Sequence, residues 1–220
     1  SVVWNYIRIN IVDTPGHADF GGEVERILNM VDGAIVLVDA AEGPMRQTKF
    51  VGSKALKVGL RPIVCINKID KPEERHVEVV NEVFDLFANL DATDEQLDFP
   101  IIYGSAKNAW MSKDPAVKTT DMAALFETVL AHVPPPRVDN GPFRMLGTTI
   151  GSDPFLGRIL TGRVDSGSVK PNQTVKVLSR TGEVIEQGRV SKVLAYRGLT
   201  RSPIDEGKAA GPRIIPAGYA

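Results

Sequence analysis

The chain has 220 residues, of which 43% are hydrophobic and 24% charged, with a formal net charge of -1. This length suffices for one large domain or two ordinary ones with proper cores. No apolar run reaches the roughly 18 residues of a membrane span, and the first residues do not resemble a signal peptide. Cys65 is the single cysteine, which excludes an internal disulfide and favours a buried thiol in a reducing compartment. We therefore expect a soluble cytoplasmic protein without a membrane partner.

Residues 1 to 137 alternate short β-branched runs with longer amphipathic segments, which is typical of an α/β domain with a mostly parallel sheet. The predicted buried strands are Ile7 to Val12, Ala34 to Val38, Ile63 to Ile66 and Ile101 to Tyr103. The predicted helices are Glu23 to Met30, Arg46 to Val58, Glu73 to Leu90 and Met122 to Val133. In the third helix, the three- and four-residue spacing predicts an apolar stripe of Val77, Val80, Phe84, Phe87 and Leu90.

The segment Asp13-Thr14-Pro15-Gly16-His17 directly follows the first predicted strand. In a parallel sheet it would lie at the carboxyl edge, where ligands of such folds bind. There Asp13 can hold Mg²⁺ through water, Gly16 lets a backbone N–H approach a phosphate, and His17 can orient a water. The same residues are ordinary turn formers, so a plain turn remains an equal alternative for this segment alone.

Asn67-Lys68-Ile69-Asp70 follows another buried strand and so lies along the same edge. A carboxylate at Asp70 can accept hydrogen bonds from N1–H and the 2-amino group of guanine, a donor pair that adenine lacks. Lys68 would cover the base plane with its stem, and Asn67 would tie neighbouring loops together. As a lone tetrapeptide the signal is weak, because such residues are common in loops that lead into helices.

A third polar loop, Ser105-Ala106-Lys107, follows the strand Ile101 to Tyr103. Its backbone N–H groups could reach the guanine carbonyl oxygen. No single loop is decisive. Three such loops in this order, each at the end of a predicted buried strand, form a specific match to a nucleotide site.

After the proline run at residues 134–136, the pattern changes to short strands broken by Gly, Pro and Asn, which predicts a small antiparallel β-barrel over residues 138 to 220. The predicted strands are Phe143 to Ile150, Arg158 to Val164, Thr174 to Leu178 and Val184 to Ala195, with turns at Ser166-Gly167 and Thr181-Gly182.

The two halves of the chain differ in charge. Residues 1 to 137 hold 14 Lys/Arg against 20 Asp/Glu, a net charge of -6, and residues 138 to 220 hold 12 against 7, a net charge of +5. A basic second domain fits a polyanionic partner such as ribosomal RNA, although scattered basic side chains also serve solubility.

The order of the three motifs resembles the translational GTPases, the group of elongation factors Tu and G. Within that group, the runs Asn10 to Leu28, Val38 to Val51 and Asp91 to Pro100 resemble the BipA/TypA type rather than elongation factor G. The resemblance implies a P-loop-NTPase-type GTPase domain, followed by the barrel, in a GTP-hydrolysing switch that binds GTP/GDP and Mg²⁺ and docks on the ribosome.

The resemblance also implies roles for individual residues. Asp13 matches the magnesium-linked Asp, Gly16 the γ-phosphate contact and His17 the catalytic, water-orienting residue. The guanine-reading residues and their support are Asn67, Lys68, Ile69 and Asp70 with Ser105, Ala106 and Lys107.

Two departures from the family pattern bear on activity. The sequence has no G-x-x-x-x-G-K-[ST] motif and no Thr-containing first switch before Trp4; these parts would cradle the phosphates. The segment Gly211 to Pro216 places two prolines where the family has a closing strand. We expect a fragment of a longer parent protein, inactive by itself.

Two alternatives remain from the sequence. One is a GTPase of the elongation factor G or LepA kind, which a different C-terminal domain would reveal. The other is a non-hydrolysing RNA- or ribosome-binding module, which an absent phosphate loop in the upstream sequence would favour. No DNA partner is expected.

Overall fold

The structure is a computed structural model that describes residues 1–14, 21–136 and 139–209. Internal contacts divide the chain into two units. We call Thr14–Pro135 the sheet unit, and Ser1–Asp13 together with the described part of Pro136–Ala220 the hairpin unit. Within these described ranges, no helix combines the length and the apolar character that crossing a membrane demands.

The described elements up to residue 132 are a mixture of strands and helices, and those after it are strands. In chain order they are β1 (Val2–Trp4), β2 (Ile7–Ile9), α1 (Gly21–Leu28), β3 (Ala34–Asp39), α2 (Arg46–Lys57), β4 (Pro62–Asn67), α3 (His76–Ala88), α4 (Asp94–Leu97), β5 (Ile101–Ser105), β6 (Trp110–Ser112), α5 (Ala123–His132), β7 (Arg144–Asp153), β8 (Gly157–Ser166), β9 (Ser168–Val169), β10 (Thr174–Leu178), β11 (Val184–Arg189), β12 (Val193–Arg197), β13 (Thr200–Ile204) and β14 (Gly207–Lys208).

The sheet unit is built on one four-stranded sheet in the order β3-β4-β5-β6. The first three strands are parallel, and β6 closes the edge antiparallel to β5. The predicted strands Ala34 to Val38, Ile63 to Ile66 and Ile101 to Tyr103 are thereby confirmed, each one or two residues longer than expected. Strand β6 and the short helix α4 were not predicted.

Strand β4 is the centre of the core because its two faces feed two different clusters. Val64 and Ile66 pack with α3 on one side, while Ile63 and Cys65 pack with β5 and β6 on the other. All four side chains are fully buried, as expected for a β-branched run in a parallel sheet covered on both faces. Burial raises the pKa of the Cys65 thiol to about 12, so this cysteine is an inert core residue.

Helix α3 begins at His76 rather than Glu73, and the face that it buries differs from the predicted stripe. Val79, Val83 and Phe87 are fully buried, whereas Val77 and Phe84 are 61% and 46% exposed. Apolar residues lie around most of this helix, so periodicity alone did not select the buried face. Packing against β4 selects the line of residues at four-residue steps.

The prediction of a parallel strand from Ile7 to Val12 is wrong. Strand β2 ends at Ile9 and pairs antiparallel with β1, and neither belongs to the four-stranded sheet in the described part of the chain. The turn between them explains this pairing. Asn5 and Tyr6 have φ of 46° and 63°, the positive values that a two-residue type I′ hairpin turn requires.

The later strands form antiparallel pairs, as expected: β7 with β8, β10 with β11, β12 with β13, and β9 with β14. The predicted strand Val184 to Ala195 is divided into β11 and β12. Gly167 and Gly182 adopt positive φ in the predicted turns. These pairs are separate two-stranded ladders, so among the described residues a closed barrel is not shown. The proline-containing segment Gly211 to Pro216 lies outside the described residues.

Candidate nucleotide site

The carboxyl ends of β4 and β5 place two polar loops side by side. Asn67 is the last residue of β4 and pairs in parallel register with Gly104, directly before Ser105 at the end of β5. Because the strands are parallel, the loops 67–70 and 105–108 leave the sheet at the same edge. The packing of β4 on both faces therefore determines where both loops begin.

Asn67 connects the loops that follow three neighbouring strands. Its side-chain Oδ1 accepts a hydrogen bond from the Ala106 N–H at 2.9 Å, and its carbonyl accepts one from the Ala40 N–H at 2.8 Å. The Ile69 N–H donates to the Gly104 carbonyl at 3.2 Å. These bonds join the two polar loops to each other and to the loop after β3.

Lys68 is held in an unusual backbone conformation and by an ion pair. Its φ is +65°, a left-handed value that is uncommon outside glycine and often marks a functional position. Its Nζ lies 2.5 Å from Oδ2 of Asp39, the last residue of β3. The Lys68 side chain is 47% exposed and that of Asp39 only 11%, so Lys68 remains partly accessible while it is paired with a largely buried carboxylate.

The Asp39 carboxylate is stabilised in its charged form. Burial by itself would raise its pKa, but the ion pair with Lys68 and the hydrogen bonds from the N–H groups of Ala41 and Glu42 outweigh burial and lower the pKa to about 2. The two backbone bonds measure 2.8 and 3.3 Å. The ion pair with Asp39 in turn raises the pKa of Lys68. The pair is therefore fully charged at neutral pH.

The loop after β3, residues 40–43, is fixed from helix α3. The Arg75 N–H donates to the Ala40 carbonyl at 2.9 Å, and its Nε donates to the Ala41 carbonyl at 2.8 Å. The Arg75 guanidinium is itself paired with Glu82. Gly43 has φ of +78°, and a Cβ there would lie 2.3 Å from Glu82 Oε2. The loop that presents Asp39 therefore has little freedom to shift.

Asp70 presents an exposed carboxylate at this edge. Its Oδ2 accepts a hydrogen bond from Asn108 Nδ2 at 2.8 Å, and the same Nδ2 lies 3.1 Å from Oγ of the buried Ser105. A carboxylate has about four acceptor positions, so one bond from Asn108 leaves room for two donors of a ligand. The chemistry fits the N1–H and 2-amino groups of guanine.

The other predicted residues are placed as follows. Ala106 and Lys107 are exposed and Ile69 is half-buried, all in the two loops at this edge. Asp13 is exposed, follows β2 and belongs to the hairpin unit. Gly16 and His17 lie outside the described residues. In the described ranges no three His, Cys, Asp or Glu side chains gather as a metal site.

Three residues of this neighbourhood were missed in the sequence: Asp39, Arg75 and Asn108. A signal existed for Asp39, because it ends a buried strand in the same way as Asn67 and Ser105. Asn108 directly follows the predicted loop and could have been included by extending that loop by one residue. Arg75 carried no signal, since only the folded chain brings its guanidinium to residues 41 and 42.

These features define an α/β domain with two polar loops at the carboxyl ends of parallel strands, the edge at which folds of this kind bind ligands. The family model of the elongation factor Tu GTP-binding domain matches residues 1–135, more than half of the chain. The chain therefore belongs to the family of the elongation factor Tu GTP-binding domain, a P-loop GTPase fold.

Relatives narrow the class further. The chain is 50% identical over 210 residues to the large ribosomal subunit assembly factor BipA of Escherichia coli strain K12. The matched region covers 95% of the chain and 34% of that protein. It is 52% identical over 202 residues to the protein of the same name from Haemophilus influenzae, covering 91% of the chain and 33% of the relative. The resemblance to BipA/TypA translational GTPases is confirmed. The chain spans a third of the length of these relatives.

Proposed function

We propose that the parent protein is a GTPase that hydrolyses GTP to GDP and phosphate as a ribosome-associated switch in translation or ribosome assembly. The observation that carries the proposal is the single sheet edge that holds Asn67, Lys68 and Asp70 beside Ser105. Membership of the GTP-binding family and the relatives named as large ribosomal subunit assembly factors support it. Those names favour this activity over an elongation factor G or LepA kind.

The residues at this edge would read the base. Asp70 accepts hydrogen bonds from N1–H and the 2-amino group of guanine, and the left-handed Lys68, anchored by Asp39, lays its stem over the ring. Adenine would leave the carboxylate without its two donors, which strongly disfavours it. The N–H groups of the loop Ser105, Ala106 and Lys107 face the guanine carbonyl in this proposal, and Asn67 holds that loop in place.

The phosphate end is assigned to the segment that follows β2. Asp13 would hold Mg²⁺ through a water, Gly16 would contact the γ-phosphate through its backbone N–H, and His17 would orient the attacking water. A bound Mg²⁺ supplies positive charge against the phosphate oxygens.

The remaining assignments concern organisation and partner. We place the GTP-binding domain at residues 1–137 and a translation-factor-type β-barrel at residues 138–220, in a protein that acts in the cytoplasm. The net charge of +5 over residues 138–220 supports contact between this second domain and ribosomal RNA, whose phosphates attract Lys and Arg.

Replacing Asp70 with Asn tests the base-reading role. In the parent protein, Asp70→Asn should weaken GTP binding and admit xanthosine triphosphate, because xanthine has a 2-oxo acceptor where guanine has an amino donor. Competition binding with the two nucleotides measures the preference. Asp85→Asn, an exposed position on α3, is the matched control and should change neither affinity. An unchanged preference in Asp70→Asn would remove Asp70 from the site.

A further inference from the structure

Asn108 lies between two residues of the proposed base-reading edge, although it is part of neither predicted motif. It occupies the tight turn from β5 to β6. The Asn108 N–H donates to the Ser105 carbonyl at 3.1 Å, and the Ala109 N–H donates to the Ala106 carbonyl at 3.2 Å. Ala109 has φ of +55°, which completes the turn. The backbone of Asn108 is therefore fixed relative to the end of β5, where Ser105 pairs with Trp110 of β6.

The side chain of Asn108 reaches across to the other loop. Its Nδ2 lies 2.8 Å from Asp70 Oδ2 and 3.1 Å from Ser105 Oγ. A carboxylate is only an acceptor, so the amide atom that faces Asp70 must be the NH₂ group. Its two N–H bonds match two acceptors, one on the exposed Asp70 and one on Ser105, which is 2% exposed. Asn108 thus links the exposed side chain of Asp70 to the buried side chain of Ser105.

We propose that Asn108 is a positioning residue for guanine specificity, which orients the Asp70 carboxylate so that both of its oxygens meet the base. This inference rests on the proposed role of Asp70. Guanine presents two donors, N1–H and the 2-amino group, and each must meet a correctly placed carboxylate oxygen. A base that presents N1–H alone needs only one such oxygen. Fixing the rotation of the carboxylate therefore favours guanine more than hypoxanthine, which lacks the 2-amino group.

The residue type fits this role. Alanine would leave Asp70 free to rotate and Ser105 Oγ without this donor. Aspartate would place a second carboxylate against the first, which repels it. Of these three side chains, only asparagine supplies two donors without a charge at this distance.

The test compares GTP with inosine triphosphate in the parent protein. Asn108→Ala should lower the affinity for GTP by about 3- to 10-fold, the range for one lost hydrogen bond, and the affinity for inosine triphosphate by about 2-fold or less. The GTP preference thus shrinks. Asn81→Ala, an exposed asparagine within α3, is the control and should leave both affinities unchanged. Melting temperatures of all variants identify any general loss of folding.

Two further variants separate positioning from a structural role. If Asn108 acts through Asp70, Asn108→Ala should have no additional effect on GTP affinity in an Asp70→Ala background. Asn108→Asp should lower GTP affinity more than Asn108→Ala does. Equal losses for GTP and inosine triphosphate, or a full loss that persists without the Asp70 carboxylate, would overturn the proposal.

Together, the Asp70→Asn and Asn108→Ala variants distinguish a wrong role for Asn108 from a wrong base-reading role for Asp70. If Asp70→Asn admits xanthosine triphosphate while Asn108→Ala leaves the ratio of GTP to inosine triphosphate affinity unchanged, the base-reading role of Asp70 stands and the role of Asn108 is wrong. If Asp70→Asn leaves the nucleotide preference unchanged, the base-reading role itself is wrong, and any effect of Asn108 has another origin.

Discussion

The loop 67–70, proposed to read the base, and the Asp13 segment, proposed to meet the phosphates, each follow a strand, but the two strands are of very different kinds. The loop 67–70 follows β4, which is buried from Pro62 to Ile66 and hydrogen-bonded to parallel neighbours on both sides. Asp13 follows β2, three residues long and paired only with β1 in the described chain. The Asp13 side chain is exposed, whereas the Asn67 side chain accepts a hydrogen bond from the Ala106 N–H and the Lys68 side chain is paired with Asp39.

In the proposed function, this difference separates the residues that recognise the base from those that act on the phosphates. Packing and hydrogen bonds hold the proposed base-reading edge in place, and such preorganisation would lower the entropic cost of binding a base. The segment from Asp13 to His17 is assigned to the phosphate end, where the contacts change most during the reaction. We therefore expect variants of the two regions to affect different quantities, ligand affinity in one and turnover in the other.

The largest expected effect is on turnover, from His17→Ala in the parent protein. A residue that orients water for attack acts in the transition state, so GTP affinity should stay nearly intact while ribosome-stimulated hydrolysis falls by about 10²-fold or more. Equilibrium binding of GTP and single-turnover hydrolysis with ribosomes measure the two quantities.

Asp70→Asn provides the opposite signature, a change of nucleotide affinity and preference. Comparable losses of affinity and turnover in His17→Ala would contradict the division, because His17 would then shape its loop rather than the reaction.

The next effect is on the packing that positions the base-reading edge. Phe87 is fully buried among the side chains of β4 and α3, with its ring 5.3 Å from that of Phe99. Phe87→Ala should lower the free energy of unfolding by about 3 to 5 kcal/mol. Phe84→Ala is the matched control on the same helix, where the ring is 46% exposed, and should cost less than about 1 kcal/mol.

Urea unfolding of this chain, read by circular dichroism, gives both values. Similar losses in the two variants would mean that α3 does not pack through the line of Val79, Val83 and Phe87. The rigid edge would then lack its support, and the contrast with the Asp13 segment would fail.

The strands of the sheet could be predicted from sequence because a continuous β-branched run between polar loops has few alternatives. Ile63 to Ile66 is such a run, and it became the centre of β4. The buried face of α3 could not be predicted, because Val77 and Phe84 are as apolar as Val79 and Val83, and only the neighbouring strand decides between them. The hairpin of β1 and β2 depends on positive φ angles at Asn5 and Tyr6, and a tyrosine in the sequence does not indicate a positive φ.

The same limit applies to the candidate site. Asn67 and Ser105 could be predicted as neighbours because parallel strands align their carboxyl ends. The positions of Asp39 and Asn108 could also have been included, but their contacts could not be predicted, because an ion pair or a side-chain bridge depends on the register of strands and on the course of a turn. Sequence periodicity reports which side of a strand is buried and says nothing of which polar groups meet above its end.

The smallest expected effect concerns the anchor of Lys68 and depends on pH. The pKa of Asp39 is lowered to about 2 in the fold from an ordinary value of about 3.9. Its contribution to stability is therefore fully present above pH 3.9 and is lost as the pH falls through 2. The shift corresponds to about 2 to 3 kcal/mol, and solvent screening at the half-exposed Lys68 reduces this to about 1 kcal/mol. Asp39→Asn should be less stable by that amount at pH 7 and should approach the unmodified chain near pH 2.

Unfolding free energies measured across this range, with Asp85→Asn as the control for a lost carboxylate, give the profile. A deficit that stays constant down to pH 2 would show that Asp39 supports the edge by its shape rather than its charge, and that Lys68 is held by its backbone alone.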